Sequence, residues 1–235
     1  MAESSCRIPL CQKLGFPVIV KPNTKSQGSG VAKVYNKQEF MRAVSRCKDS
    51  VFLVQEVVVG NDYRIVVLDN RVVSAYQRIP LHVVGDGKTS IQRLLEKKQK
   101  EFKRIGRDTT IPIDDIRITY TLKHLSFSRN SVPKKCECIQ LLANANLSTG
   151  GDAKDVTKDI HPQWRKFAVQ LTRDMGLRYC GVDLIVQGAL SEPPNSFVVI
   201  EINAAPGLDN YASIGKEQKN IVEEIYTKVF KAMLH

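Results

Sequence analysis

A chain of 235 residues, 43% apolar and 25% charged, holds enough material for one large domain or two small ones around a substantial core. It contains no apolar run of the ~18–20 residues that span a membrane, the start at Met1 lacks the pattern of a secretory signal, and its cysteines form no disulfide framework; reduced thiols and a cytoplasmic setting are expected. The net charge of +11 suits phosphate-bearing ligands, acidic polymers or plain solubility, and without zinc-finger spacing or an aromatic-rich RNA-binding signature nucleic acid is the weaker reading.

In chain order, residues 15–22 read as a strand ending at Lys21-Pro22, residues 23–30 as a small, polar, glycine-bearing loop, and residues 31–35 as a returning strand. Asn36 with Glu39 forms an N-cap and its reciprocal partner for a helix over 37–48. Residues 51–59 form a strand running to Gly60, and 63–68 with 72–77 form a hairpin around Asp69-Asn70. Ser90 caps a helix over 91–104, while residues 105–135 show no clear periodicity. A strand over 137–142 precedes a loop at 144–152. His161-Pro162 opens a helix that Gly176 closes, strands at 179–186 and 198–203 follow, and a last helix covers 215–233. This mixed order of hairpins and helices predicts an α+β fold.

The strand Val198–Asn203 delivers an acid and an amide two residues apart, so Glu201 and Asn203 face the same way. Asp183 in the preceding strand joins them if the two pair antiparallel across the 188–196 loop. Three oxygen donors of this kind suit a hard cation such as magnesium, or else the acids are solvent-facing strand residues. Lys21, directly before the glycine-bearing loop, is placed either to hold phosphate oxygens together with loop amides or simply to mark the neck of a hairpin. No strand–GxxxxGK[ST]–helix string and no GxGxxG opening a helix is present. At the bend after Gln55-Glu56 the extended backbone can pair with an adenine edge, with Asp62 accepting from ribose hydroxyls; alternatively this is a strand–turn–strand with exposed acids. Arg64 and Arg78 suit bidentate binding of carboxylate or phosphate, or are salt-bridged surface residues. Cys136-x-Cys138 has no second pair at zinc spacing.

The order of these signals resembles the ATP-grasp superfamily of carboxylate–amine ligases. Arg78-Ile79-Pro80 with His82–Gly87, Ala145–Gly151, Asp155-Val156-Thr157 with Ile160-His161-Pro162, and Glu201–Gly207 look most like the ATP-grasp module of cyanophycin synthetase. Glutathione-synthetase-like ligases share the general parts, and the resemblance covers about residues 13–232. It implies two α+β lobes clasping ATP, a partial N-terminal lobe over 1–60 and a C-terminal lobe over 61–235. The expected reaction passes the γ-phosphoryl group to a substrate carboxylate, and an amine then displaces phosphate to give an amide or peptide bond.

The same resemblance implies nucleotide contacts from Lys21, Gln27, Gly28, Ser29, Gly30, Gln55, Glu56, Val58 and Asp62. Asp183, Glu201 and Asn203 would hold magnesium, or manganese, and Arg78 and Asn146 would stabilise the transferred group. Arg64 and the Ser148–Gly151 loop would face the acceptor, an amino acid or peptide. Because family members carry more chain before the Gly15-Phe16-Pro17 strand, the N-terminal part is expected to be truncated. A homo-oligomer or a separate substrate-binding chain is then the expected partner, and a nucleotide-binding module without catalysis is the alternative reading.

Overall fold

The computed structural model describes residues 15–22, 30–46, 51–213 and 215–233. Its first unit is a three-stranded antiparallel sheet with β1 (Val18–Pro22) between β2 (Ala32–Val34) and β3 (Phe52–Glu56). Val18 and Val20 alternate inward, where they meet Val34 and Phe40 from helix α1 (Lys37–Arg46). Asn36 Oδ1 accepts from the Glu39 amide at 2.9 Å, as the cap signal predicts. The reciprocal carboxylate reaches one residue further back, to the Tyr35 amide at 3.0 Å.

The second unit is a five-stranded antiparallel sheet of β4 (Asn61–Leu68), β5 (Arg71–Ile79), β8 (Asp152–Asp155), β9 (Tyr179–Val186) and β10 (Phe197–Asn203), in the order β10-β9-β4-β5-β8. A small ladder of β6 (His82–Val84) with β7 (Cys138–Gln140) carries helices α2 (Ile91–Arg104) and α3 (Ile116–His124). One face of the large sheet presents Ile65, Val67, Val182 and Leu184 to α4 (Pro162–Asp174), where Trp164 is fully buried and donates its Nε1–H to Glu192 O at 2.9 Å. On the other face Val66, Leu68 and Tyr76 are covered by α5 (Asp209–Ala212) and α6 (Lys216–Met233) through Leu208, Tyr211, Val222 and Ile225. Among the described residues no helix is long and apolar enough to cross a membrane.

The α+β class expected from the sequence is the class observed. Several local expectations change. The strand over 51–59 stops at Glu56, and the one over 137–142 shrinks to Cys138–Gln140. The loop at 144–152 contains a 3-10 turn, Leu147–Thr149, and runs into the unpredicted strand β8. β8 reads Asp-Ala-Lys-Asp, with no apolar alternation to signal a strand; it is one because the edge of β5 supplies its hydrogen bonds. The unreadable segment 105–135 holds α3, capped by Asp115, whose side chain accepts from the Arg117 amide.

Candidate functional site

The polar part of the second sheet face is set by strand register. Asp62 lies opposite Arg78 on β4 and β5, and Arg64 lies opposite Asp183 on β4 and β9. Directly opposed residues project to the same side, so these four side chains form one row. Arg64 grips Asp183 with both arms, Nε to Oδ1 at 2.6 Å and Nη2 to Oδ2 at 2.7 Å. Arg78 Nη1 approaches Asp183 Oδ2 at 3.0 Å, and its Nε donates to Asp62 Oδ1 at 2.7 Å. The result is an alternating row, Arg64–Asp183–Arg78–Asp62, in which Asp183 is 2% exposed.

Burial decides the electrostatics of this row. Desolvation pushes the Asp62 carboxyl up to about 6, against the pull of Arg78. For Arg64 and Arg78 burial works against the charge, but the adjoining carboxylates of Asp183 and Asp62 outweigh it and raise both pKa values. The guanidinium groups stay charged.

A bulge between Val199 and Glu201 completes the face. Val199 opposes Leu184, and the bulge makes Ile200 the extra residue, so Glu201 opposes Asp183. Without it the next residue, Ile200, would stand there. Glu201 is exposed, and Asn203, opposite Gly181, donates Nδ2–H to Glu201 Oε1 at 2.8 Å. The Asn203 carbonyl oxygen and the remaining Glu201 oxygen stay available as hard-cation donors. Asp183 also has oxygen donors, but they already serve arginine. Among the described residues no group of three or more His, Cys, Asp and Glu is arranged to hold a metal.

Lys21 and Gln55 belong to the first sheet. Register pairs Lys21 with Leu53 and Ile19 with Gln55, so both polar side chains lie on the face away from the Val18–Val20 core. Glu56, opposite Val18, is on the other face at an exposed strand end, and Val58 lies half-buried beyond it. Gly30 is exposed; Gln27, Gly28 and Ser29 lie outside the described residues. Asn146 precedes the 3-10 turn and contributes its backbone oxygen to the amides of Thr149 and Gly151, both at 3.2 Å.

The structure also adds residues that no sequence pattern marks. Asp152 gathers Lys98 Nζ at 2.6 Å, Arg107 Nη1 at 3.3 Å and His82 Nδ1 at 3.9 Å. Lys98 lies in a Lys- and Glu-rich helix that reads as a solvated face, and Arg107 lies where no periodicity is visible. Asp155, within a motif quoted for the resemblance, accepts from Tyr211 Oη at 2.6 Å and Gln218 Nε2 at 2.9 Å and so ties β8 to α5 and α6.

Comparison with known proteins places this geometry in a family. The model described as the RimK-like ATP-grasp domain matches residues 3–94 and 135–226. The glutathione biosynthesis bifunctional protein GshAB of Mannheimia succiniciproducens is 35% identical over 206 residues, 82% of this chain and 27% of that protein. Cyanophycin synthetase of Trichormus variabilis is 34% identical over 203 residues, 82% of this chain and 22% of that protein. A crystal structure of a bifunctional glutathione synthetase from Pasteurella multocida is similar with a TM-score of 0.57 at 28% identity, over 94% of this chain and 33% of that one. The chain spans about a quarter of the length of the two relatives matched by sequence. With most of its length matched, and with the residues of its polar sheet face inside the matched stretches, this chain belongs to the RimK-like ATP-grasp family.

Proposed function

We propose that this chain is the nucleotide-binding and ligating unit of an ATP- and magnesium-dependent carboxylate–amine ligase. It forms an amide or peptide bond on an amino acid or peptide through an acyl phosphate. The observation that carries this reading is the row Arg64–Asp183–Arg78–Asp62, with Glu201 and Asn203 on the same sheet face, in an ATP-grasp chain. The Arg78 guanidinium, already charged and oriented, is matched to a phosphoryl group whose oxygens carry the charge of the transition state, with the charged Arg64 beside it toward the acceptor.

Lys21 and the loop through Gln27, Gly28, Ser29 and Gly30 hold the phosphates. Gln55, Glu56 and Val58 line the adenine, and Asp62 takes the ribose. Asp183, Glu201 and Asn203 have the oxygen chemistry to hold a divalent magnesium or manganese ion, which when bound neutralises phosphate charge. Arg78 and Asn146 orient the transferred group, and Arg64 faces the acceptor. The lobes divide at Gly60, between β3 and β4. The setting is cytoplasmic, with a second copy or a substrate-binding chain as partner.

A nucleotide-binding module without ligation is the second reading, favoured by the engagement of both Asp183 oxygens with arginine. ADP release from magnesium-ATP across pooled amino acids and dipeptides separates the two. Stimulated release that Glu201→Ala lowers by about 10²-fold is expected. ATP binding with no stimulated release overturns the ligase reading.

A further inference from the structure

Residues 95–134 fall between the two stretches matched by the family model, and they contain Arg107. Its side chain is only 9% exposed, and most of its donors converge on one loop. Nη2 donates to Leu147 O at 2.8 Å and to Gly151 O at 2.5 Å. Nη1 donates to Asp152 Oδ1 at 3.3 Å and Nε to Thr109 Oγ1 at 3.2 Å. The Phe102 ring lies 4.0 Å from the guanidinium carbon. Nη2 alone bridges two carbonyls four residues apart while Nη1 and Nε hold Asp152 and Thr109, and a lysine ammonium, with its donors on one nitrogen, does not reach all four partners at once.

The loop so held is 146–151. Within it the amides of Thr149, Gly150 and Gly151 close on Asn146 O and Leu147 O, each at 3.2 Å. Its other side is equally tight. A Cβ on Gly151 would stand 2.7 Å from Ile79 O and 2.9 Å from Asn146 O, so only glycine permits this approach to β5, one residue past Arg78. Thr109 extends the grip by donating to Asn210 Oδ1 at 3.1 Å, within α5. Arg107, Thr109, Ser148, Asn210 and Ser213 line a cavity of about 590 Å³ between the loop and α5.

We infer that Arg107 is a positioning residue for ligation: it presses the 146–151 loop against the end of β5 and so sets where Asn146 and Ser148 meet the activated carboxylate and the incoming amine. This rests on the ligase reading above. Arg107 acts through the two carbonyls.

Hydrogen exchange, magnesium-ATP binding and acceptor-stimulated ADP release on the full chain, compared for wild type, Arg107→Ala and Arg107→Lys, test it. In Arg107→Ala the Thr149, Gly150 and Gly151 amides should exchange about tenfold faster, while the Kd for ATP stays within about twofold. Acceptor KM should rise and kcat fall by about tenfold or more, with KM for ATP unchanged. Arg107→Lys keeps the charge without the fork and should resemble alanine in loop exchange; it carries the comparison if the alanine variant does not fold. Unchanged loop exchange, or a loss of ATP affinity equal to the loss of kcat, overturns the inference. A wild-type chain that releases no ADP with any acceptor overturns the ligase reading alone, because loop exchange and ATP affinity decide the clamp without turnover.

Discussion

The two antiparallel sheets carry their polar groups in opposite ways. On the three-stranded sheet, Lys21, Gln55 and Glu56 stand half-buried or exposed over a small core of Val18, Val20, Val34 and Phe40. On the five-stranded sheet, Asp183 is sunk between covered faces and held by two arginines. The difference follows from solvation. A surface lysine keeps its water until a ligand arrives, whereas a buried carboxylate needs a permanent counter-charge. The second sheet therefore holds its charges in place before any ligand binds, and the first leaves them open.

The sharpest way to break this contrast is Asp183→Asn, which leaves two nearly buried arginines without their shared partner. A loss of about 3–5 kcal/mol in urea unfolding is expected; a loss below about 1 kcal/mol would mean that the arginines are satisfied without Asp183. Phe40→Ala should cost about 3 kcal/mol, confined to the small sheet. Amides of β1–β3 then exchange faster and ATP affinity falls, while β4 and β9 keep their protection; equal loss in both sheets would erase the distinction.

Lys21→Ala probes the open site. ATP affinity should weaken about tenfold, or about 1.4 kcal/mol, with stability changed by less than about 0.5 kcal/mol. Loss of stability without loss of affinity would make Lys21 structural. A pH-dependent effect belongs to Asp62, whose folded pKa of about 6 lies above its ordinary 3.8. Between those values the folded chain holds a proton that the unfolded chain has released. Its contribution is therefore full below about pH 4 and lost as pH rises through 6, on the order of 2–3 kcal/mol, since the value of about 6 already includes the pull of Arg78. Asp62→Asn should flatten that part of the stability–pH curve, and an unaltered slope would assign the titration elsewhere.

Strands with apolar alternation or apolar runs were legible in the sequence, as were the Asn36 cap, the His161-Pro162 helix start and the motifs shared with ATP-grasp ligases. The antiparallel pairing across the 188–196 loop, the condition for Asp183 to join Glu201 and Asn203, is met by β9 and β10. The bulge at Ile200 was not legible, since no residue type marks it, yet it decides that Glu201 opposes Asp183. β8 and α3 escaped because their local patterns are weak and their form comes from neighbours. Arg107 escaped for the same reason: an arginine in an aperiodic segment looks solvated until the two carbonyls it spans are close in space.

By itself the sequence determined the α+β class, the family and the polar residues that distinguish one sheet face, because strand alternation and short motifs are local properties of the chain. Only the tertiary structure decided how those residues are partnered. Asp183 became an arginine-bound carboxylate, Asp62 acquired a raised pKa, and a segment outside the family pattern came to hold the 146–151 loop. Burial and cross-strand register arise from contacts between residues far apart in sequence, and a residue's charge environment exists only once those contacts are made.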